Sequence, residues 1–259
     1  MKKIIFVICI VLSILTVVAF LPSCALGVIE MENFKNEAKY SIGNFTYNAD
    51  EIDKIEINWV SGNINLVESE NETLSVSEKE DALKDNQKMR YLIEGRVLKI
   101  QFWKAKYRAN VKSELKNLTI EIPKNIELKI NQVSGNVKSE SLTLKNLDVN
   151  IVSGNVVIGS LTSNDVHVDS VSGQVKIDSL EGKDVYVDSV SGNVLVGFSS
   201  AKKVIIDSTS GDVRLKLHGL GATIKFSSVS GRYGNNKTFG DGSCEINVST
   251  TSGDLKVEE

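Results

Sequence analysis

Asp165-Val-His-Val-Asp-Ser-Val-Ser-Gly-Gln-Val-Lys-Ile-Asp178 is the stretch that decides the fold. Val166 and Val168 alternate with His167 and Asp169, as in a strand with one buried face. Val171, Gly173, Val175 and Ile177 alternate again with the parity moved by one residue, which predicts a bend or bulge at Ser170-Val171 and an inward-facing glycine. Leu180 then turns inward beside the next loop, and Leu161 and Leu142 hold the same place one and two units earlier.

The unit repeats. A Ser-Gly pair occurs eight times, with its glycine at Gly62, Gly135, Gly154, Gly173, Gly192, Gly211, Gly231 and Gly253. From Gly135 onward the steps are 19, 19, 19, 19, 20 and 22 residues, a period that means stacked coils. Each coil supplies two short strands that pair with the same strands one coil away, about 4.8 Å along the stack. No coil buries its apolar face alone, so stability is shared between neighbours. The expected fold is therefore all-β: a β-solenoid, or β-helix-like rod, of about 19-residue coils with an irregular N-terminal cap. In each unit the glycine is expected to avoid crowding the interior or to meet a bulge conformation. The serine hydroxyl is expected to bond its own turn or the next coil's serine. The residue after glycine is usually Asn or Asp: Asn63, Asn136, Asn155, Asn193, Asp212 and Asp254.

The Val-Ser-Gly-Asn-Val pattern, and Leu118-Thr-Ile-Glu-Ile-Pro123 leading into the coils, resemble the bacterial "putative adhesin" domain, a family of unknown function. The resemblance covers roughly residues 50 to 259. It implies a β-helix-like fold and an envelope location, and carries no catalytic residues.

Charge and targeting agree with that location. The formal net charge is −3, and Lys2 and Lys3 are the only charges before residue 30. This balance argues against nucleic acid as a partner, which needs a positive excess. An uncharged apolar run from Ile4 to Leu21 follows the two lysines and precedes Glu30 and Glu32, placing the body outside the membrane. Leu21-Pro22-Ser23-Cys24 resembles a lipobox except at Pro22, so lipidation at Cys24, a retained helix and simple cleavage all stay open. Residues 1–24 are read as the signal, lipoprotein or anchor segment, 25–48 as a tether with one added strand over Tyr40 to Tyr47, and 49–259 as the solenoid, with regular repeats over 131–259. Residues 50–66 read as a first coil, Glu68 to Lys88 largely as loop around Leu74-Ser-Val, and Met89–Ile93 with Val97–Trp103 as a hairpin.

Candidate chemistry is sparse. Asp169, Asp188 and Asp207 lie four residues before their glycines, in a column shared with Asn58, Asn131, Asn150, Ser227 and Ser249. The column reads as Asx-type turn bonding, with Ca²⁺ binding by the three aspartates as the sharper alternative. His167 and His218 have no motif partners and read as surface residues. Cys244 reads as a small buried residue, and the serines are too uniform for a nucleophile. No cofactor motif is present. Trp103, Lys104, Lys106, Tyr107, Arg108 and Lys112 mix aromatics with positive charge and read either as a contact for anionic wall polymer or lipid headgroups or as a solvated loop. The functional expectation is a non-enzymatic, membrane-tethered protein of the cell envelope that binds or scaffolds wall polymer or another envelope protein. The rivals are a polysaccharide-acting enzyme on a β-helix and an accessory of an envelope-stress system.

Overall fold

A computed structural model describes residues 37–71, 73–103, 112–232 and 237–259. Among them no helix is long and apolar enough to cross a membrane. The apolar run, Cys24, and Lys104 to Arg108 of the aromatic-basic segment lie outside the described residues.

The period of 19 builds two long sheets. In the regular region one strand of each coil joins a twelve-stranded sheet and the other a ten-stranded sheet. Asn146–Ser153, Asp165–Ser172, Asp184–Ser191 and Lys203–Ser210 pair in parallel and in register on the first sheet. Val137–Thr143, Val156–Thr162 and Val175–Glu181 do so on the second. Their inner faces meet in one continuous core, to which a single coil contributes Val166, Val168, Val175, Ile177 and Leu180, each at most 1% exposed. Each such side chain stabilises by about 1.5–3 kcal/mol on burial. On the second sheet Asp178-Ser179 forms the outward step before Leu180 turns in, so that expectation holds.

The expected bend at Ser170-Val171 is corrected. Inward alternation continues through Ser170, which is 1% exposed, and Val171 points outward, half-buried. The parity changes at Gly173 instead, where φ is +131°. The glycine requirement is therefore not crowding of the interior. A Cβ on Gly173 would overlap the carbonyl oxygen of Gly154 in the coil below. The same overlap recurs from Gly135 to Gly62, Gly154 to Gly135, Gly192 to Gly173, Gly211 to Gly192, Gly253 to Gly211 and Gly231 to Gly253. The turns stack backbone on backbone, and the Gly154 N–H donates to the Ser172 carbonyl of the next coil at 2.9 Å.

The serine before glycine is accordingly used through its carbonyl. The hydroxyl that bonds its own turn belongs to the inward residue three before glycine: Ser189 Oγ donates to Gly192 O at 3.4 Å and Thr250 Oγ1 to Gly253 O at 3.0 Å. At the N-terminal end of this column Gln132 Nε2 donates to Gly62 O at 2.6 Å and Trp59 Nε1 to Lys116 O at 2.9 Å. The residue after glycine forms a second ladder. Asn63 Oδ1 accepts from the Asn136 backbone N–H, Asn136 Oδ1 from Asn155 and Asn155 Oδ1 from Gln174, at 2.8–3.0 Å.

Spatial order departs from chain order at both ends. Strand Lys54–Ser61 lies between Val97–Gln101 and Glu127–Ser134, so the first coil in sequence is the second in the stack. At the other end Cys244–Ser252 is inserted between Lys203–Ser210 and Ala222–Ser228. Beyond these coils the pairing turns antiparallel, through the expected hairpin of Arg90–Glu94 with Val97–Gln101 and through Lys237–Phe239 on Ala222–Ser228. The stretch expected as one strand over Tyr40 to Tyr47 is two: Ser41–Ile42 joins the first sheet and Phe45–Asn48 the second. The stretch 68–88, expected as loop apart from Leu74-Ser-Val, carries strand Thr73–Ser77 over those residues and, beyond it, half of a structural ion pair. Lys116 Nζ donates to Glu78 Oε2 at 2.5 Å and to Gln87 O at 2.9 Å, with both charged side chains fully buried. The Lys116 ammonium also lies 5.0 Å from the Trp59 ring centroid and 4.7 Å from that of Phe102. Burial pulls the lysine below its usual pKa, and Glu78 opposes that shift.

Two stability outcomes are expected in chemical denaturation. Gly173→Ala should cost about 3 kcal/mol or more, from both strained φ and overlap with Gly154. Gly95→Ala, at φ +62° with open space around it, should cost only about 1 kcal/mol. Equal losses would refute the stacked-backbone account. Lys116→Met should cost about 3–5 kcal/mol by stranding a buried carboxylate, and adding Glu78→Gln should restore at least half of that loss.

Candidate functional site

In-register pairing arranges the outward residues of the first sheet in columns, one residue per coil. Moving along a strand toward its glycine, one column runs Glu56, Lys129, Asp148, His167, Tyr186, Ile205 and Asn247, and the next Asn58, Asn131, Asn150, Asp169, Asp188, Asp207 and Ser249. Then come Val60, Val133, Val152, Val171 and Val190, all half-buried on the outer face. The aspartates lie inside strands rather than in turns, so the turn-bonding reading of their column is corrected: the turn bonds belong to the residues after glycine.

The column begins as an amide ladder. Asn131 Nδ2 donates to Asn58 Oδ1 at 2.9 Å and Asn150 Nδ2 to Asn131 Oδ1 at 3.2 Å. An amide both donates and accepts, so stacked amides satisfy one another. Carboxylates only accept, and the three aspartates answer this in different ways. Asp169 Oδ2 lies 3.2 Å from His167 Nε2, and its side chain is 13% exposed. Asp207 accepts from Ser249, and Ser227 Oγ donates to Ser249 Oγ at 3.3 Å. Asp188 lies between them, flanked by the Asp169 and Asp207 charges on both sides.

Burial first, and then the neighbouring Asp169 and Asp207 charges, push the Asp188 carboxyl up to about 6. Burial also raises Asp207, with the Ser249 hydrogen bond opposing it. His167 is held above its ordinary value chiefly by the hydrogen bond to Asp169, against partial burial and with help from the Asp148 and Asp188 charges. A ring nitrogen of His167 and carboxylate oxygens of Asp169 and Asp188 all lie within 4.8 Å of one another. A groove of about 300 Å³ adjoins them, lined by Lys129, Asp148, Asp165, His167 and Tyr186.

The other candidates are not drawn into this cluster. His218 is exposed, in a turn at φ +46°. Cys244 is buried, and desolvation pushes its thiol up to about 11, which suppresses the thiolate. Trp103 is a core satellite, edge-on to Phe102 at 4.5 Å, and Lys112 is exposed. His167 meets Asp169 two residues on along the same outward face, a pairing that strand alternation could have found; only Asp188, a rung away, lies beyond linear spacing. The signal that could have found it is vertical: aligning the repeat on its glycines stacks His167 beside the aspartate column.

The family model for Toastrack DUF4097 matches residues 34–259. The chain belongs to the Toastrack DUF4097 family. Among solved structures, the Toastrack chain is similar to a "putative adhesin" from Bacteroides fragilis, at 17% identity and a TM-score of 0.46, over 84% of this chain and 97% of that one. It is also similar to a "putative adhesin" from Parabacteroides distasonis, at 14% identity and a TM-score of 0.44, over 83% and 97%. A third is a "putative lipid binding protein" from Parabacteroides distasonis, at 14% identity and a TM-score of 0.31, over 84% and 94%. No curated protein matches the sequence significantly. The Toastrack assignment agrees with the solenoid read from the repeat.

The Asp188 carboxyl gives the Toastrack solenoid a defined pH response. The unfolded chain releases this proton near pH 3.8 and the folded chain near 6, so stability falls as pH rises through that window. Asp188→Asn should therefore leave stability unchanged below about pH 4 and raise it by about 1–2 kcal/mol above pH 6, after allowance for solvent screening. Denaturation midpoints at pH 4 and pH 7.5 check this; the same gain at both values would contradict it.

Proposed function

We propose that the chain is a non-enzymatic protein of the cell envelope, tethered through its N-terminal segment, that binds or scaffolds a repetitive envelope polymer along the outer face of its longer sheet. One observation carries the reading: parallel, in-register pairing displays the same column positions once per coil across successive rungs. A polymer with a short repeat meets such a surface as a row of equivalent, weak contacts, whose sum gives affinity without one deep pocket. The face also combines what a polar polymer needs: amide and carboxylate columns for hydrogen bonds, and a low valine stripe beside them.

The location rests on sequence features: the apolar run from Ile4 to Leu21, the preceding lysines and Cys24. A hydrolytic or lyase reading would require a singular nucleophile or base. The residues that repeat in this chain are the opposite of singular, and the one described thiol is desolvated.

The full chain, solubilised in detergent, should pellet saturably with isolated bacterial cell walls in a salt series. Absence of pelleting at every salt concentration would remove wall polymer as the ligand.

A further inference from the structure

We infer that His167, Asp169 and Asp188 form a binding site for a divalent transition-metal ion of the zinc class on the outer face of the longer sheet. The inference stands apart from the polymer-binding reading and survives its failure.

Three observations lead to it. The first is donor chemistry. The candidate donors are an imidazole nitrogen and oxygens of two carboxylates, within 4.8 Å of one another. Imidazole with carboxylate suits zinc and its neighbours, whereas Ca²⁺ prefers six to eight oxygens. This changes the site suggested by the aspartate column alone: His167 enters it, and Asp207, already bonded to Ser249, leaves it.

The second is spacing. Zinc holds nitrogen and oxygen at about 2.0–2.2 Å, which puts neighbouring ligand atoms about 3.3–3.6 Å apart in a tetrahedron. His167 Nε2 and Asp169 Oδ2 are already 3.2 Å apart. Side-chain rotation alone can bring the Asp188 oxygen closer, because Asp188 pairs directly opposite Asp169 on the adjacent strand. The backbone on both rungs is fixed by parallel pairing to further coils on either side, so little ordering is lost on binding.

The third is imbalance. In-register stacking forces Asp188 between two other aspartates, and its own strand places Tyr186 and Val190 on the same face. A cation bound between Asp169 and Asp188 supplies the positive charge that this half-buried column lacks. Three protein donors leave a fourth position for water or for a ligand atom from the adjoining groove.

The test uses the full, tag-free chain in detergent, titrated with ZnCl₂ and, for spectroscopy, with CoCl₂. Zinc should bind stoichiometrically and raise the melting temperature of wild type and of the His218→Ala control. His167→Ala and Asp188→Asn, both on the outer face, should weaken zinc binding by about tenfold or more. Cobalt should give visible d–d bands that His167→Ala abolishes. The inference is overturned if wild type binds no zinc, or if both variants bind it as wild type does. A calcium response that persists in His167→Ala, with no zinc response in wild type, would also overturn it in favour of an all-carboxylate site.

Discussion

The constraint on which the rest depends is the direct stacking of glycine turns. Each repeat reverses direction at a Ser-Gly pair whose glycine has no room for a Cβ, because the carbonyl of the next glycine occupies that space. Close approach of this kind fixes the rise between coils at the turn, and the sheets inherit it. The polar groups of the turn must then be satisfied where water is partly excluded. Three devices do this: the glycine N–H bonds the next coil, an inward hydroxyl or amide bonds the glycine carbonyl, and an Asn or Asp oxygen accepts the following N–H one rung up. Ser189, Ser208 and Thr250, buried three before their glycines, are thus polar residues in a core that bond a glycine carbonyl valine could not reach.

A stack also has ends, and exposed strand edges recruit other chains. Here each end is treated in the same two ways. In the first sheet a strand is inserted out of order at each end, so that Lys54–Ser61 and Cys244–Ser252 become interior rungs, and antiparallel strands finish that sheet; the second sheet ends on Leu255–Glu258. At the N-terminal end Lys116 takes the place of the next glycine turn: its carbonyl lies where a Gly62 Cβ would be and accepts from Trp59. Its ammonium is carried into the core, where Glu78 and two aromatic rings receive it. A buried pair of this kind contributes little net stability but strongly disfavours arrangements that separate the partners. That suits a cap whose strands come from distant parts of the chain.

The periodic part of this fold was legible in the sequence because the repeat is local: alternation within a strand and glycine at each turn are properties of neighbouring residues. What was not legible depends on contacts across rungs. Ser170 looked outward and Val171 inward because alternation was counted backward from Val175, through a glycine whose φ breaks the count. Glu78 looked like loop because its partner is 38 residues away. The insertion of Cys244–Ser252 below Ala222–Ser228 leaves only a trace in the sequence, the longer final glycine steps of 20 and 22. Of the candidate site, the aspartates were visible as a column and the alternation of His167 with Asp169 was in the sequence too; what a linear reading hides is Asp188, which meets His167 only across a strand pair.

In-register stacking also explains why the aspartates stand out chemically. Any residue in such a fold faces its equivalents at about 4.8 Å on both sides, so a column is stable when its members can bond their own kind. Valine does so by packing and asparagine by donating and accepting, as in the outer valine stripe and in the Asn58–Asn150 and Asn63–Asn155 ladders. A carboxylate cannot, because it lacks a donor unless protonated. Three consecutive aspartates therefore require something that asparagine, available at the same positions in the preceding three rungs, would not: a proton shared between carboxyls, a histidine, a serine hydroxyl or a cation. The histidine and the serine hydroxyl are present around Asp169 and Asp207, and even together they leave Asp188 reluctant to ionise. A change from amide to acid in the middle of a ladder is thus a local departure from the rule that stabilises the rest of the stack, and it falls on the rungs where the chain places its one imidazole on that face.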